Sequence, residues 1–202
     1  MEIQQQIVRA WDNVRKMLSD RGVDVDNRAV GDLEITALSD EHSTFGVAVN
    51  TDVVAVFHTA IQPLKKTDVF EAAGEAKHIV LVVNTKSPGA SGGSTKLNNA
   101  TVKSLEQEVA KRQSTLEIWT LKEVQYDVSA HRLVPKHVKL SEEEVEKVLQ
   151  DLCVKNRALL PAISQSDPVA RYMRLQPGDV VRIERPSPTS GRAIAYRCCR
   201  RA

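Results

Sequence analysis

Asp167-Pro-Val-Ala-Arg-Tyr-Met173, Pro177-Gly-Asp179, Val180-Val-Arg-Ile-Glu-Arg185 and Gly191-Arg-Ala-Ile-Ala-Tyr-Arg197 decide how this chain is read. Asp167 suits a helix N-cap, and Pro168 suits the first helical position, where its missing amide would have no partner anyway. Pro177-Gly178-Asp179 is turn chemistry. Val181 and Ile183 then alternate with Arg182 and Glu184, as a strand requires. Pro186 to Gly191 is rich in turn residues and too long for a two-residue hairpin. Ile194, Tyr196 and Cys198 alternate with Ala195 and Arg197, so a second strand follows. The arginines fall mainly on the face that is not apolar. The stretch therefore reads as helix, turn, strand, loop, strand.

Charge separates this region from what precedes it. Residues 1–130 carry 14 Lys and Arg against 18 Asp and Glu (net −4), whereas residues 131–202 carry 14 against 8 (net +6). The asymmetry predicts two domains with different partners, with boundaries at 1–128 and 129–202. In the second domain, Ser141 with Glu144 forms a capping box at the head of a helix. Val145, Val148, Leu149 and Leu152 give that helix its apolar face. Glu142 to Glu146 match its positive end, which explains the acidic run without a metal.

The first domain alternates helices and strands. Ile3, Ile7, Trp11, Val14 and Leu18 form one stripe on a helix that Gly22 ends, since glycine takes the left-handed C′ conformation cheaply. Phe45–Val49 and Val53–Phe57 read as a hairpin, followed by a helix from Thr67 or Asp68 to about Lys77. Ile79–Val83 is an unbroken apolar run, the mark of a central strand covered on both faces. After a loop at Ser87–Ser94, a helix over 101–111 presents Val102, Leu105 and Val109 inward, and Leu116–Leu121 is a further strand. An α/β layer of at least three strands follows. The whole is an α+β, two-domain chain: an N-terminal sheet-and-helix domain and a small mixed α/β C-terminal domain.

With 42% hydrophobic and 27% charged residues in 202, the composition is that of a globular chain with a real core. No apolar run approaches about 20 residues, so no membrane span is expected. The start of the chain carries no basic-then-apolar leader, so secretion is not expected. Three cysteines, two of them adjacent at Cys198-Cys199, make no disulfide framework. The adjacent pair reads as one inward and one outward strand residue.

Enzymatic readings fail on spacing. Gly89-Ala-Ser91-Gly-Gly93 matches the letters of a nucleophile elbow, yet Asn84 to Pro88 separate it from the strand and no helix follows directly. Lys96 does not follow a glycine at phosphate-loop spacing. His131 and His137 lie without cysteine or carboxylate partners at zinc spacing. No catalytic residue, cofactor, metal or small-molecule substrate is expected. Arg171, Arg174, Arg182, Arg185, Arg192, Arg197, Arg200 and Arg201 face only Asp179 and Glu184, and no lysine accompanies them over 171–201. Arginine without lysine favours bidentate pairing at a protein interface over a phosphate footprint. A stand-alone basic nucleic-acid-binding module is the alternative.

One resemblance ties these pieces together. The ordered set His131-x-Leu-Val-Pro135-x-His137, Leu160-Pro161, Asp167-Pro-Val-Ala-Arg-Tyr172, Gly178-x-Val-Val181 and Ser190-Gly-Arg192-x-x-x-Tyr196-Arg197 resembles the fifth-largest shared subunit of nuclear DNA-directed RNA polymerases. The archaeal counterpart in that family consists of the C-terminal domain alone. Trp11-Asp-Asn-Val-Arg-Lys16 and Asp20-Arg-Gly22 are similar to the opening helix of the nuclear form. The resemblance implies a non-catalytic nuclear subunit. Its C-terminal assembly domain would dock on the largest subunit through His131, Pro135, His137, Asp167, Pro168, Arg171, Tyr172, Gly191, Arg192, Tyr196 and Arg197. Its N-terminal jaw domain would lie near downstream duplex DNA, with Lys86, Ser87, Pro88 and Lys96 closest. Arg174, Pro188 and Ala193 depart from the family's glycine, glutamate and large residue, which suggests a divergent paralogue dedicated to one polymerase.

Overall fold

The computed structural model describes residues 2–25, 35, 43–59, 64–84, 97, 99–187 and 191–201. The chain divides into two compact units, Met1–Tyr126 and Asp127–Ala202.

In the first unit, helix α1 (Glu2–Asp20) precedes strands β1 (Thr44–Ala48) and β2 (Val53–His58). Helix α2 (Lys66–Ala73), strand β3 (His78–Val83), helix α3 (Asn99–Arg112) and strand β4 (Thr115–Thr120) follow. The sheet order is β1-β2-β3-β4. β1 and β2 form an antiparallel hairpin, while β2, β3 and β4 run parallel, as the intervening helices require. All six residues of β3 are buried, in keeping with its apolar run. Register aligns Phe45, Phe57, Val82 and Trp119 in one row across the sheet. Trp11 of α1 meets Phe57 edge-on at 6.5 Å, and Phe45 stacks on Phe57 at 5.6 Å. The opposite face packs Val56, Ile79, Leu81 and Val83 against Val69 and Phe70 of α2 and Leu105 of α3. Each such aliphatic side chain contributes about 2 kcal/mol by leaving water. Gly46 lets α2 approach closely, because a Cβ there would collide with the Ala72 carbonyl.

Two expectations shift here. α2 stops at Ala73 rather than near Lys77, because Gly74 takes φ 60° and its amide closes on the Phe70 carbonyl at 3.1 Å. Ile3, expected on the buried stripe, is 40% exposed in the first turn of α1.

The second unit holds β5 (Lys136–Lys139), helix α4 (Glu142–Asp151), β6 (Ala162–Ser164), helix α5 (Pro168–Tyr172), β7 (Val180–Ser187) and β8 (Gly191–Arg200). Its sheet order is β5-β7-β8-β6. β5 and β8 each pair antiparallel with β7, whereas β6 runs parallel to β8. Ile163, Val181, Ile183 and Cys199 pack with Ala170 of α5 and with Leu175. Val180, Cys198, Leu140 and Leu160 pack with Val145 of α4. Both faces of this sheet are thus covered. That corrects the expectation for the vicinal cysteines, which are both buried, on opposite faces. It also corrects the expectation of one apolar and one arginine-bearing face, since Val180 and Cys198 share their face with Arg182. Pro186 and Ser187 continue β7 in register with Arg192 and Gly191, so the connecting loop is shorter than its turn-rich composition implied. Leu152, expected to face the core, caps the end of α4 and is 47% exposed.

Candidate partner interface

Local chemistry fixes the two helices of the second unit. Asp167 Oδ1 accepts the amides of Val169 at 2.9 Å and Ala170 at 3.3 Å, and Pro168 opens α5. Ser141 Oγ accepts the Glu144 amide at 3.3 Å while Glu144 Oε2 accepts the Ser141 amide at 2.8 Å. That main-chain bond holds the Glu144 carboxyl below its ordinary range. The hydrogen bond from Arg157 does the same for Glu142, at 2.6 Å. Arg157 Nη1 also donates to the Gly178 carbonyl at 3.2 Å, tying α4 to the turn before β7. Asp179 secures the other side of that turn. Its Oδ2 accepts from Lys139 Nζ and from the Gln176 amide, both at 2.7 Å.

The arginines divide between ion pairs and main-chain bonds. Arg182 pairs with Glu184 at 3.0 Å, and Arg192 reaches the same carboxylate at 3.6 Å. Arg197 Nη1 donates to the Ala162 carbonyl at 3.1 Å. Arg200 Nη2 donates to the carbonyls of Ala158 and Leu160. These guanidiniums brace the hairpin and its junction with β6. Nothing in the sequence marks Arg157, Arg182, Glu184 and Arg200 for these roles, which depend on strand register and on chain segments far away.

The structure distributes the remaining candidates over four places. His131, exposed, orders its own loop by accepting the Leu133 amide on Nδ1 at 3.2 Å. His137 sits on β5 opposite Ile183, with Nδ1 2.7 Å from the Pro135 carbonyl. Asp167 caps α5, which carries Pro168, Arg171 and Tyr172, and the last two are half-buried. Gly191, Arg192, Tyr196 and Arg197 lie along β8, with Tyr196 directly across from Arg182. Leu133, at 77% exposed, and Ile194, at 53%, are large apolar residues turned to water in this unit. Burial pushes the Cys199 thiol up, away from thiolate chemistry. Among the described residues, no three His, Cys, Asp or Glu come together as a metal would need. Lys86, Ser87, Pro88, Ser91, Lys96 and Pro188 lie outside the described residues.

The first unit holds a separate buried ionic group. Arg21 meets Glu117 in two bonds of 3.0 Å, and His78 Nε2 lies 3.0 Å from Glu117 Oε1. Trp119 Nε1 donates to Oε2 at 3.4 Å. Burial disfavours the charged Glu117, but the His78 hydrogen bond and the Arg21 guanidinium outweigh it, and the carboxyl pKa is lowered to about 2. The arrangement joins the end of α1 to β3 and β4. A carboxylate held by the Arg21 guanidinium and in hydrogen-bond contact with His78 is a clasp rather than a general base.

Residues 126–199 match the family described as RNA polymerase Rpb5, C-terminal domain. The DNA-directed RNA polymerase subunit Rpo5 of Thermofilum pendens is 49% identical over 72 residues, which span 36% of this chain and 89% of that protein. The DNA-directed RNA polymerases I, II, and III subunit rpabc1 of Dictyostelium discoideum is 44% identical over 89 residues, 44% of this chain and 45% of that one. The corresponding subunit RPABC1 of Caenorhabditis elegans is 47% identical over 75 residues, 37% of this chain and 35% of that one.

Proposed function

This chain belongs to the Rpb5 family of DNA-directed RNA polymerase subunits, and from that premise we propose that it is a non-catalytic structural subunit of a nuclear polymerase. Its C-terminal domain, from about residue 129, docks on the largest subunit, and its N-terminal domain contributes to the lower jaw near downstream duplex DNA. The contact residues proposed on the C-terminal side are His131, Pro135, His137, Arg171, Tyr172, Arg192, Tyr196 and Arg197. Lys86, Ser87, Pro88 and Lys96 are those proposed nearest DNA.

One observation carries this reading: the family match over residues 126–199 coincides with the compact unit Asp127–Ala202. The related segment is therefore a folded module rather than a stretch shared across two bodies. The internal engagement of Arg182 with Glu184 and of Arg200 with main-chain carbonyls leaves fewer guanidiniums for phosphates, which supports a protein-docking module over a nucleic-acid grip.

Purification of the tagged chain from its native cells at moderate salt tests the proposal. Recovery of the two largest polymerase subunits in equal amount is expected, and their identity would name the polymerase. Recovery of the chain alone would sink it.

A further inference from the structure

The two outer edges of the second unit's sheet are built differently. β5 is four residues long, follows Pro135, and carries exposed Lys136 and Lys139. Short length, proline and lysine are the devices by which sheets discourage further pairing. β8 is ten residues long, but β6 covers only Cys198–Arg200. Among the described residues, no strand flanks β8 on that side from Arg192 to Arg197.

The amide directions show what this edge offers. The Cys199 amide donates to Asp179 O at 2.7 Å, on the β7 side, and the Cys198 amide donates to Pro161 O at 2.8 Å, on the far side. The β7–β8 register runs without a bulge from Cys198 back to Gly191. Counting back in twos, the amides and carbonyls of Tyr196 and Ile194 point outward as Cys198's does. Between Arg192 and Tyr196 the edge reads Ala193-Ile194-Ala195, with no lysine and no proline, and Ile194 is 53% exposed. A regular apolar edge of this kind is a template for another strand.

We infer that the β8 edge from Arg192 to Arg197 binds its polymerase partner by strand addition, accepting an extended, acidic segment of the partner chain. The inference rests on the docking role proposed above. Six residues of edge span about 20 Å, which matches a segment of five or six residues. The segment bonds to the main chain of Ile194 and Tyr196. It sets an apolar side chain beside Ile194 and carboxylates toward Arg192 and Arg197 at the two ends. The net +6 of residues 131–202 sets the sign of the complement.

Ile194→Pro in the full-length tagged chain tests this directly. Proline removes one outward amide and blocks the edge, while the β7 ladder does not use that amide. The expected result is at least a tenfold loss of co-purified largest subunit, with an unchanged thermal unfolding midpoint. As a measurement that needs no variant, hydrogen exchange in the peptide spanning 192–197 should slow at least tenfold in the polymerase relative to the isolated chain. If the wild-type chain recovers no polymerase, the docking role itself fails. If it recovers polymerase but exchange at 192–197 is unchanged, or folded Ile194→Pro recovers as much, the strand-addition inference is overturned and the docking role stands. A concentration-dependent dimer of the wild-type chain that Ile194→Pro abolishes would also overturn it, by assigning the edge to a second copy.

Discussion

The two units solve the problem of a covered sheet with different materials. Every phenylalanine and tryptophan of the chain lies before residue 127, and Trp11, Phe45, Phe57, Phe70 and Trp119 are all buried. The second unit buries Leu140, Val145, Leu160, Ile163, Leu175, Val180, Val181 and Ile183 with two cysteines, and no aromatic. Its thinner core is supplemented by polar braces: the Asp167 cap, the Ser141–Glu144 box, Asp179 beneath the turn, and Arg157 and Arg200 on carbonyls. An aromatic core tolerates many sequences of similar volume, whereas a braced one depends on particular groups at particular places. Residues that carry the family resemblance, such as Asp167, Pro168 and Gly178, are largely scaffold. The surface that meets a partner is a different question from the motif that reveals the family.

The largest expected effect tests the aromatic side of that contrast. Trp11→Ala should cost the first unit about 3–5 kcal/mol. Because the remaining tryptophan, Trp119, lies in the same unit, its fluorescence isolates that loss in a urea titration. The second unit, followed by far-ultraviolet dichroism, should keep its midpoint. A common shift of both transitions would break the contrast.

Acid sharpens it. Glu117 titrates from an ordinary value of 4.5 down to about 2 in the folded chain. A depressed carboxylate contributes stability above its unfolded pKa and loses it as pH falls through the folded one. Between pH 5 and 2 this group's share, about 3 kcal/mol, should vanish from the first unit. Glu117→Gln should remove most of that pH dependence while lowering stability at pH 7, as read by the same fluorescence.

The smallest effect compares one motif across both units. α1 and α5 end in the same Schellman geometry: Gly22 and Arg174 occupy the left-handed position at φ 79° and 53°. The following amides, Val23 and Leu175, return to Leu18 and Ala170 at 3.0 and 2.9 Å. Gly22→Arg should therefore cost about 1 kcal/mol and Arg174→Gly gain about 1 kcal/mol. Equal losses at both positions in thermal unfolding would contradict the account.

Much of the fold is legible in the sequence. The α1 stripe, the β3 apolar run, the capping box and Asp167-Pro168 are local signals, and each appears where its residues place it. β5 and β6 are not legible, since strands of four and three residues carry too little alternation to detect. The Glu117 clasp draws on Arg21 and His78, 96 and 39 residues away, and only the fold brings them together. Ile194 reads as one member of an alternating strand. Its exposure follows from β6 beginning only at Ala162, opposite Cys198, which no pattern within β8 discloses.

The most direct test of the central claim, that polymerase association resides in the braced unit, is recovery of the largest subunit on residues 127–202 alone. Far-ultraviolet dichroism of the same preparation would establish that the segment is folded. Recovery equal to that of the full-length chain is expected. A folded segment that recovers none, beside a full-length chain that does, would contradict it.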